Sequence, residues 1–142
     1  MLAKLLDPRA IPALTAALAT PRPLLGTAAV AALTAYPDHD PIPDLLAALP
    51  TAHPMVQQNI ILAFQQRPDP RTIDPLMTML PTLEAPLLRY TIIQTLGNLH
   101  ATQAIPLIRN YVNDPDHHVR KWAEYALKQL DDSQNPPSPQ AP

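Results

Sequence analysis

Residues 96–130 read LGNLHATQAIPLIRNYVNDPDHHVRKWAEYALKQL: a helix end, a linker, a helix, a tight turn and a second helix. Ile105, Ile108 and Val112 share one helical face at i, i+3, i+7 spacing. Val119, Ala123 and Leu127 share another at i, i+4, i+8. Working outward from Ile105, its counterparts upstream are Ile73, Ile42 and Ile11, at intervals of 32, 31 and 31 residues. The flanking text agrees: AIPLI at 104–108, TIDPLM at 72–77, PIPDLL at 41–46 and AIPAL at 10–14.

The first helices therefore carry two ladders, Leu14, Leu45, Leu76, Ile108 and Leu18, Leu49, Leu80, Val112. The second helices carry three: Leu25, Val56, Leu88, Val119; Ala29, Ile60, Ile92, Ala123; and Leu33, Phe64, Leu96, Leu127. A single helix pair cannot bury its own apolar stripe, so such units stack into a continuous core. The sequence predicts an all-α chain, an α-solenoid of about four antiparallel helix pairs of 31–32 residues. The repeats fall near 7–36, 38–67, 69–99 and 101–130, in one domain over residues 1–130.

Proline fits this reading. The chain has 20 Pro and only 2 Gly in 142 residues, which without a repeat would suggest disorder. Here Pro23, Pro54 and Pro86 open second helices, where a missing N–H costs nothing. Pro12, Pro43 and Pro106 stand near the starts of first helices, and Pro8, Pro37, Pro41, Pro68 and Pro70 lie in linkers. First helices are expected near 9–19, 41–49, 71–80 and 102–112.

The ends differ from the middle. Counted by the repeat, Leu2 and Leu5 fall on second-helix positions, so 1–6 reads as the remnant of a preceding helix, expected of a piece of a longer array, of a truncated reading frame or of a face covered by a partner. Residues 131–142, DDSQNPPSPQAP, read as a disordered Pro-rich tail. The absence of Cys excludes disulfides, a thiol nucleophile and thiolate metal sites. A net charge of −2 gives no general attraction to nucleic acid or an anionic membrane, and neither is expected as a partner. There is no signal-like N-terminus and no membrane-length apolar run, so the expected location is cytoplasmic.

The fourth unit resembles the HEAT-like repeats named for phycobilisome bilin lyases. Asp114, Pro115, Val119, Arg120, Ala123, Ala126 and Leu127 match the pattern of its second helix, and Asp7, Pro8, Arg9, Ala10, Ile11 and Pro12 match that of the linker and first helix. The earlier units depart from it: where Arg120 and Arg89 stand, unit two has Gln57 and unit one Gly26. The resemblance implies a HEAT-like solenoid with right-handed superhelical stacking, and second helices lining its concave side. It also implies two function classes, an interaction platform and, as the alternative, a subunit or fragment of a phycobilin lyase or of a phycobiliprotein-handling factor.

No catalytic constellation accompanies it. The only Ser residues, Ser133 and Ser138, lie in the tail, and no Gly-rich phosphate loop exists. The five His residues fall at turns and linkers without an H-x-x-x-H pair, so no metal or cofactor is expected; His117 and His118 beside Asp114 and Asp116 form the one cluster worth testing. Asp38 and Asp40 read as linker acids that cap the next helix, and Asp114 as a cap before the last helix, with Asp116 favouring its N-terminal dipole. Trp122 reads as packed against the preceding unit, with Tyr90 and Tyr125 as surface residues. The off-core residues of the second helices give a candidate partner-binding strip: Gln57, Gln58, Gln65, Arg89, Tyr90, Gln94, Arg120, Lys121, Glu124 and Lys128. The favoured reading is a non-catalytic scaffold that binds another protein there; a phycobiliprotein or a second HEAT-like chain are the partners considered.

Overall fold

A computed structural model describes residues 7–134. The expected remnant at 1–6 lies outside the described residues, as do residues 135–142 of the expected tail. The chain divides into two compact units, Met1–Arg67 and Pro68–Pro142. The first holds α1 (Ile11–Ala17), α2 (Pro23–Ala35), α3 (Ile42–Ala48) and α4 (Pro54–Gln66). The second holds α5 (Ile73–Met79), α6 (Pro86–Asn98), α7 (Ile105–Ile108) and α8 (His117–Gln134). Each unit is thus two helix pairs, and the described residues contain no strand. The fold is all-α and of the α-solenoid class.

Proline sets the helix starts. α2, α4 and α6 begin at Pro23, Pro54 and Pro86, as predicted. The first helices are shorter than predicted and flanked by 3-10 turns: Pro8–Ala10 before α1, Pro70–Thr72 and Leu80–Thr82 around α5, Thr102–Ala104 and Arg109–Tyr111 around α7. Pro12, Pro43, Pro75 and Pro106 stand within the first turn of these helices. The ring disfavours α geometry in the residue before it and removes a donor, so a tighter turn carries the chain into the helix. The last helix runs beyond Leu130 to Gln134, so the polar stretch that begins at Asp131 starts as helix.

The ladders fill the core. Ile42, Leu45 and Leu49, and Ile73, Leu76 and Leu80, are buried, as are Val56, Ile60 and Phe64 on α4 and Leu88, Ile92 and Leu96 on α6. Burial of each such side chain contributes on the order of 1.5–3 kcal/mol. The first helix pair breaks the pattern. Leu25 is 48 % exposed, whereas its counterparts Val56 and Val119 are 0 % exposed.

Small residues bring second helices together within each unit. A Cβ on Gly26 of α2 would lie 2.5 Å from Val56 Cγ2 of α4. A Cβ on Gly97 of α6 would lie 3.2 Å from Ala126 Cβ of α8. Gly97 is therefore a packing residue. The helix-ending position belongs to His100 (φ 56°), with His100 N donating to Gly97 O (3.1 Å) and Ala101 N to Leu96 O (3.1 Å).

Two linkers carry one device. In Asp7-Pro8-Arg9 the Arg9 N and Nε donate to Asp7 Oδ1 (2.9 and 3.2 Å), and Nη2 donates to Oδ2 (2.7 Å). In Asp69-Pro70-Arg71 the same three bonds measure 2.8, 3.0 and 2.7 Å. The Arg side chain holds each carboxyl below its ordinary pKa. Elsewhere in the first unit, Tyr36 Oη donates to Asp7 O (2.9 Å), tying the two ends of the first repeat, and Arg67 Nη2 donates to Thr34 O (2.8 Å), tying the end of the second repeat to that of the first.

Candidate partner-binding face

The turn into α8 organises the second unit's polar chemistry. Asp116 Oδ1 accepts from Val119 N (3.1 Å), so Asp116 caps the helix. Asp114, to which the sequence reading gave that task, instead caps the preceding turn: its Oδ1 accepts from Asp116 N (2.9 Å). Its Oδ2 accepts from Arg89 Nη1 (3.3 Å), and Arg89 Nε donates to Leu83 O (2.8 Å). Arg120 Nη1 donates to Asp114 O (2.8 Å) and Pro115 O (3.0 Å). Both guanidinium groups therefore staple this turn to α6 and α8. Beside them, burial raises the Tyr111 phenol above its ordinary pKa; the Arg89 charge opposes that shift and the Asp114 charge adds to it.

The predicted strip is thus heterogeneous. Gln57 is corrected outright: it is buried, and its Nε2 donates to Leu49 O at the end of α3 (2.9 Å). An amide at the margin of an apolar stripe has reached an orphan carbonyl of the neighbouring helix. Gln58 and Gln65 in the first unit, and Tyr90 and Gln94 in the second, are half-buried. The Tyr90 ring lies 5.9 Å from that of His118, which lies 5.6 Å from His117.

Lys121, Glu124 and Lys128 are exposed on α8. Tyr125 is 54 % exposed among them. Trp122 is half-buried and meets Tyr125 edge-on, with ring centroids 5.6 Å apart and planes at 88°. These five side chains line an open hollow of about 450 Å³. The sequence reading placed Trp122 in packing against the preceding unit. Trp122 stands beside the buried stripe of α8, formed by Val119, Ala123, Ala126 and Leu130.

The remaining titratable residues have local duties. Asp40 Oδ1 accepts from Ile42 N (3.1 Å), as predicted for a linker acid, and His53 Nδ1 accepts from Met55 N (3.1 Å). His39 Nε2 lies 2.6 Å from Asp44 Oδ2. Among the described residues no group of three or more His, Asp or Glu could hold a metal ion. No helix among them is long and apolar enough to cross a membrane.

Residues 73–138 match the family model of HEAT repeats. Over that stretch, a little under half of the chain, the sequence is similar to HEAT repeats. No curated protein matches it in sequence. Nine chains of solved structures match. One is human deoxyhypusine hydroxylase in complex with glycerol, with a TM-score of 0.72 and 20 % identity over 99 % of this chain and 50 % of that one. At that identity the likeness is one of fold, and the chain spans half the length of the hydroxylase.

Proposed function

We propose that this chain is a non-catalytic HEAT-like scaffold that binds a partner protein through the outer face of α8. The observation that carries this reading is the open hollow around Trp122 and Tyr125, bordered by Lys121, Glu124 and Lys128. Half-exposed aromatic rings supply contact area at low entropic cost, and charges at a rim steer encounter and set register. The face is free to act in this way because the fold does not use it: α8 packs with Val119, Ala123, Ala126 and Leu130. Arg89 and Arg120 are bound into the turn before α8, and reversing their charge would disturb that turn before any partner is met.

The test compares the wild-type chain with Tyr125→Ala and Lys121→Glu in affinity capture followed by direct binding to whatever is retained. Binding weakened at least about tenfold by Tyr125→Ala, with helicity unchanged, supports the face. A partner held equally by all three chains sinks it.

The alternative, part of a phycobilin lyase or of a phycobiliprotein-handling factor, rests on the motif Asp114 to Leu127. Most of those residues have structural duties: Val119, Ala123 and Ala126 are buried and Arg120 holds the turn. The motif therefore speaks for the fold more than for chromophore chemistry. Absorbance of the chain mixed with bilin or phycobiliprotein decides it, since a visible band that co-elutes with the chain would favour the lyase reading. The activity of the hydroxylase is not carried over, because the likeness extends only to the fold.

A further inference from the structure

Across the α8 face, rings and charges are sorted into two parallel rows. His118, Trp122 and Tyr125 follow one another at i, i+4 and i+7, so their rings form a stripe along one side of the helix. The Tyr90 ring of α6 lies 5.9 Å from that of His118, so the stripe runs on the side of α8 turned toward α6. Passing round the helix away from α6, the order is Trp122, His118, Tyr125, Lys121, Lys128 and Glu124. The face therefore has an aromatic edge and, directly beside it, two Lys that are both exposed. None of the ion pairs among the described residues uses Lys121 or Lys128. The acid of the face, Glu124, stands furthest from the rings.

A ligand for this face must offer apolar groups to the rings and negative charge to the Lys row, side by side. Strand addition is not available, because the described residues contain no strand whose edge it could extend. A partner helix buries an apolar stripe at least about 100° wide, broader than two rings beside a Lys row provide. A polyproline II segment has neither requirement. It is preformed, it needs no backbone partner, and its Pro rings dock in aromatic-lined grooves. The Trp122 and Tyr125 planes stand at 88° with centroids 5.6 Å apart, so together they offer such a ring a face and an edge. One turn of polyproline II takes three residues and about 9 Å. The step along α8 from Lys121 to Lys128 is close to it, at about 10 Å. Acidic residues at every third position thus meet both Lys, while the other edges of the segment keep Pro against the rings.

We propose, resting on α8 as the binding face, that the partner segment it takes is proline-rich, in polyproline II conformation, and acidic along one edge.

Calorimetric titration of the full chain with a peptide of about twelve residues, Pro-Pro-Glu repeated, is the test. Such a peptide lays its acids along one edge and Pro along the others. Binding is expected, weakening as salt is raised and falling at least about tenfold with Tyr125→Ala and with Lys121→Ala combined with Lys128→Ala. These side chains are exposed, so the variants keep their helicity, which circular dichroism checks. A Pro-Pro-Lys peptide is expected to bind at least about tenfold more weakly. The proposal is overturned by a Pro-Pro-Glu peptide that does not bind, or that binds the Tyr125→Ala chain as tightly as the wild type. An Ala-Ala-Glu peptide of equal charge that binds as well overturns it too, since charge alone would then suffice. A retained partner that needs Tyr125 and is not displaced by the Pro-Pro-Glu peptide removes the proline-rich occupant and leaves the α8 face standing, whereas a partner indifferent to Tyr125 removes the face itself.

Discussion

At the scale of the residue, the same side-chain type takes different jobs according to what lies within its reach. Gly26 is the clearest case. Alanine is the better helix former by about 1 kcal/mol, yet a Cβ at this position would stand 2.5 Å from the branched, fully buried Val56. Overpacking of that kind costs roughly 1–3 kcal/mol. Gly26→Ala should therefore lower stability by about 1 kcal/mol net in urea unfolding, and do so no longer in a Val56→Ala background. Asp69 gives a pH-dependent counterpart. Arg71 lowers its pKa from 3.8, so the pair stabilises the fold above that value and the contribution fades as pH falls through the lowered one. Carbon-detected NMR should find the Asp69 midpoint below 3.8, and Arg71→Ala, which removes the guanidinium but keeps the backbone N–H, should raise it toward the ordinary range. The pattern of ladder residues was legible because apolar spacing is periodic. The fate of Gln57 was not: it flanks the stripe, and whether it turns to solvent or to Leu49 O depends on where a helix from eight residues upstream ends.

At the scale of the element, second helices were readable and first helices less so. Pro at the first position marks the starts of α2, α4 and α6, where its missing donor is harmless and its fixed φ suits the helix. The first helices have their Pro a residue or two inside, and periodicity alone does not distinguish α from 3-10 over so few residues. The turn into α8 is held by Asp114, read from the sequence as a cap of the last helix, and by Arg89 and Arg120, read as part of the partner-binding strip. Removing Asp114 leaves Arg89 half-buried without its carboxylate and Asp116 N without its acceptor. Asp114→Ala should cost about 2–3 kcal/mol, Arg120→Ala about 1 kcal/mol, and Asp114→Ala with Arg89→Ala less than the sum of the two, as urea midpoints will report.

At the scale of the whole molecule, stability in a repeat protein is approximately a sum over repeats and their nearest-neighbour interfaces. The division at Arg67 and Pro68 gives this chain two centres of burial, one around Ile60 and Phe64 and one around Ile92 and Leu96. Ile60→Ala should cost about 2–5 kcal/mol, and hydrogen exchange should speed first in α3 and α4 while α6 and α8 keep more of their protection. Equal loss of protection in all helices would mean the chain melts as one body. The strip of candidate residues was legible only as chemistry, since which of them the fold consumes is decided by distances the sequence does not carry.

Trp122 is the chain's one tryptophan, and it stands edge-on to Tyr125 beside an open hollow. The protein thus carries its own optical reporter, confined to the second unit. Its emission will shift to the blue when a partner excludes water from the ring, with no label attached. In a melt, fluorescence will follow the second unit alone while circular dichroism follows both, so any gap between the two curves measures how far the first unit unfolds on its own.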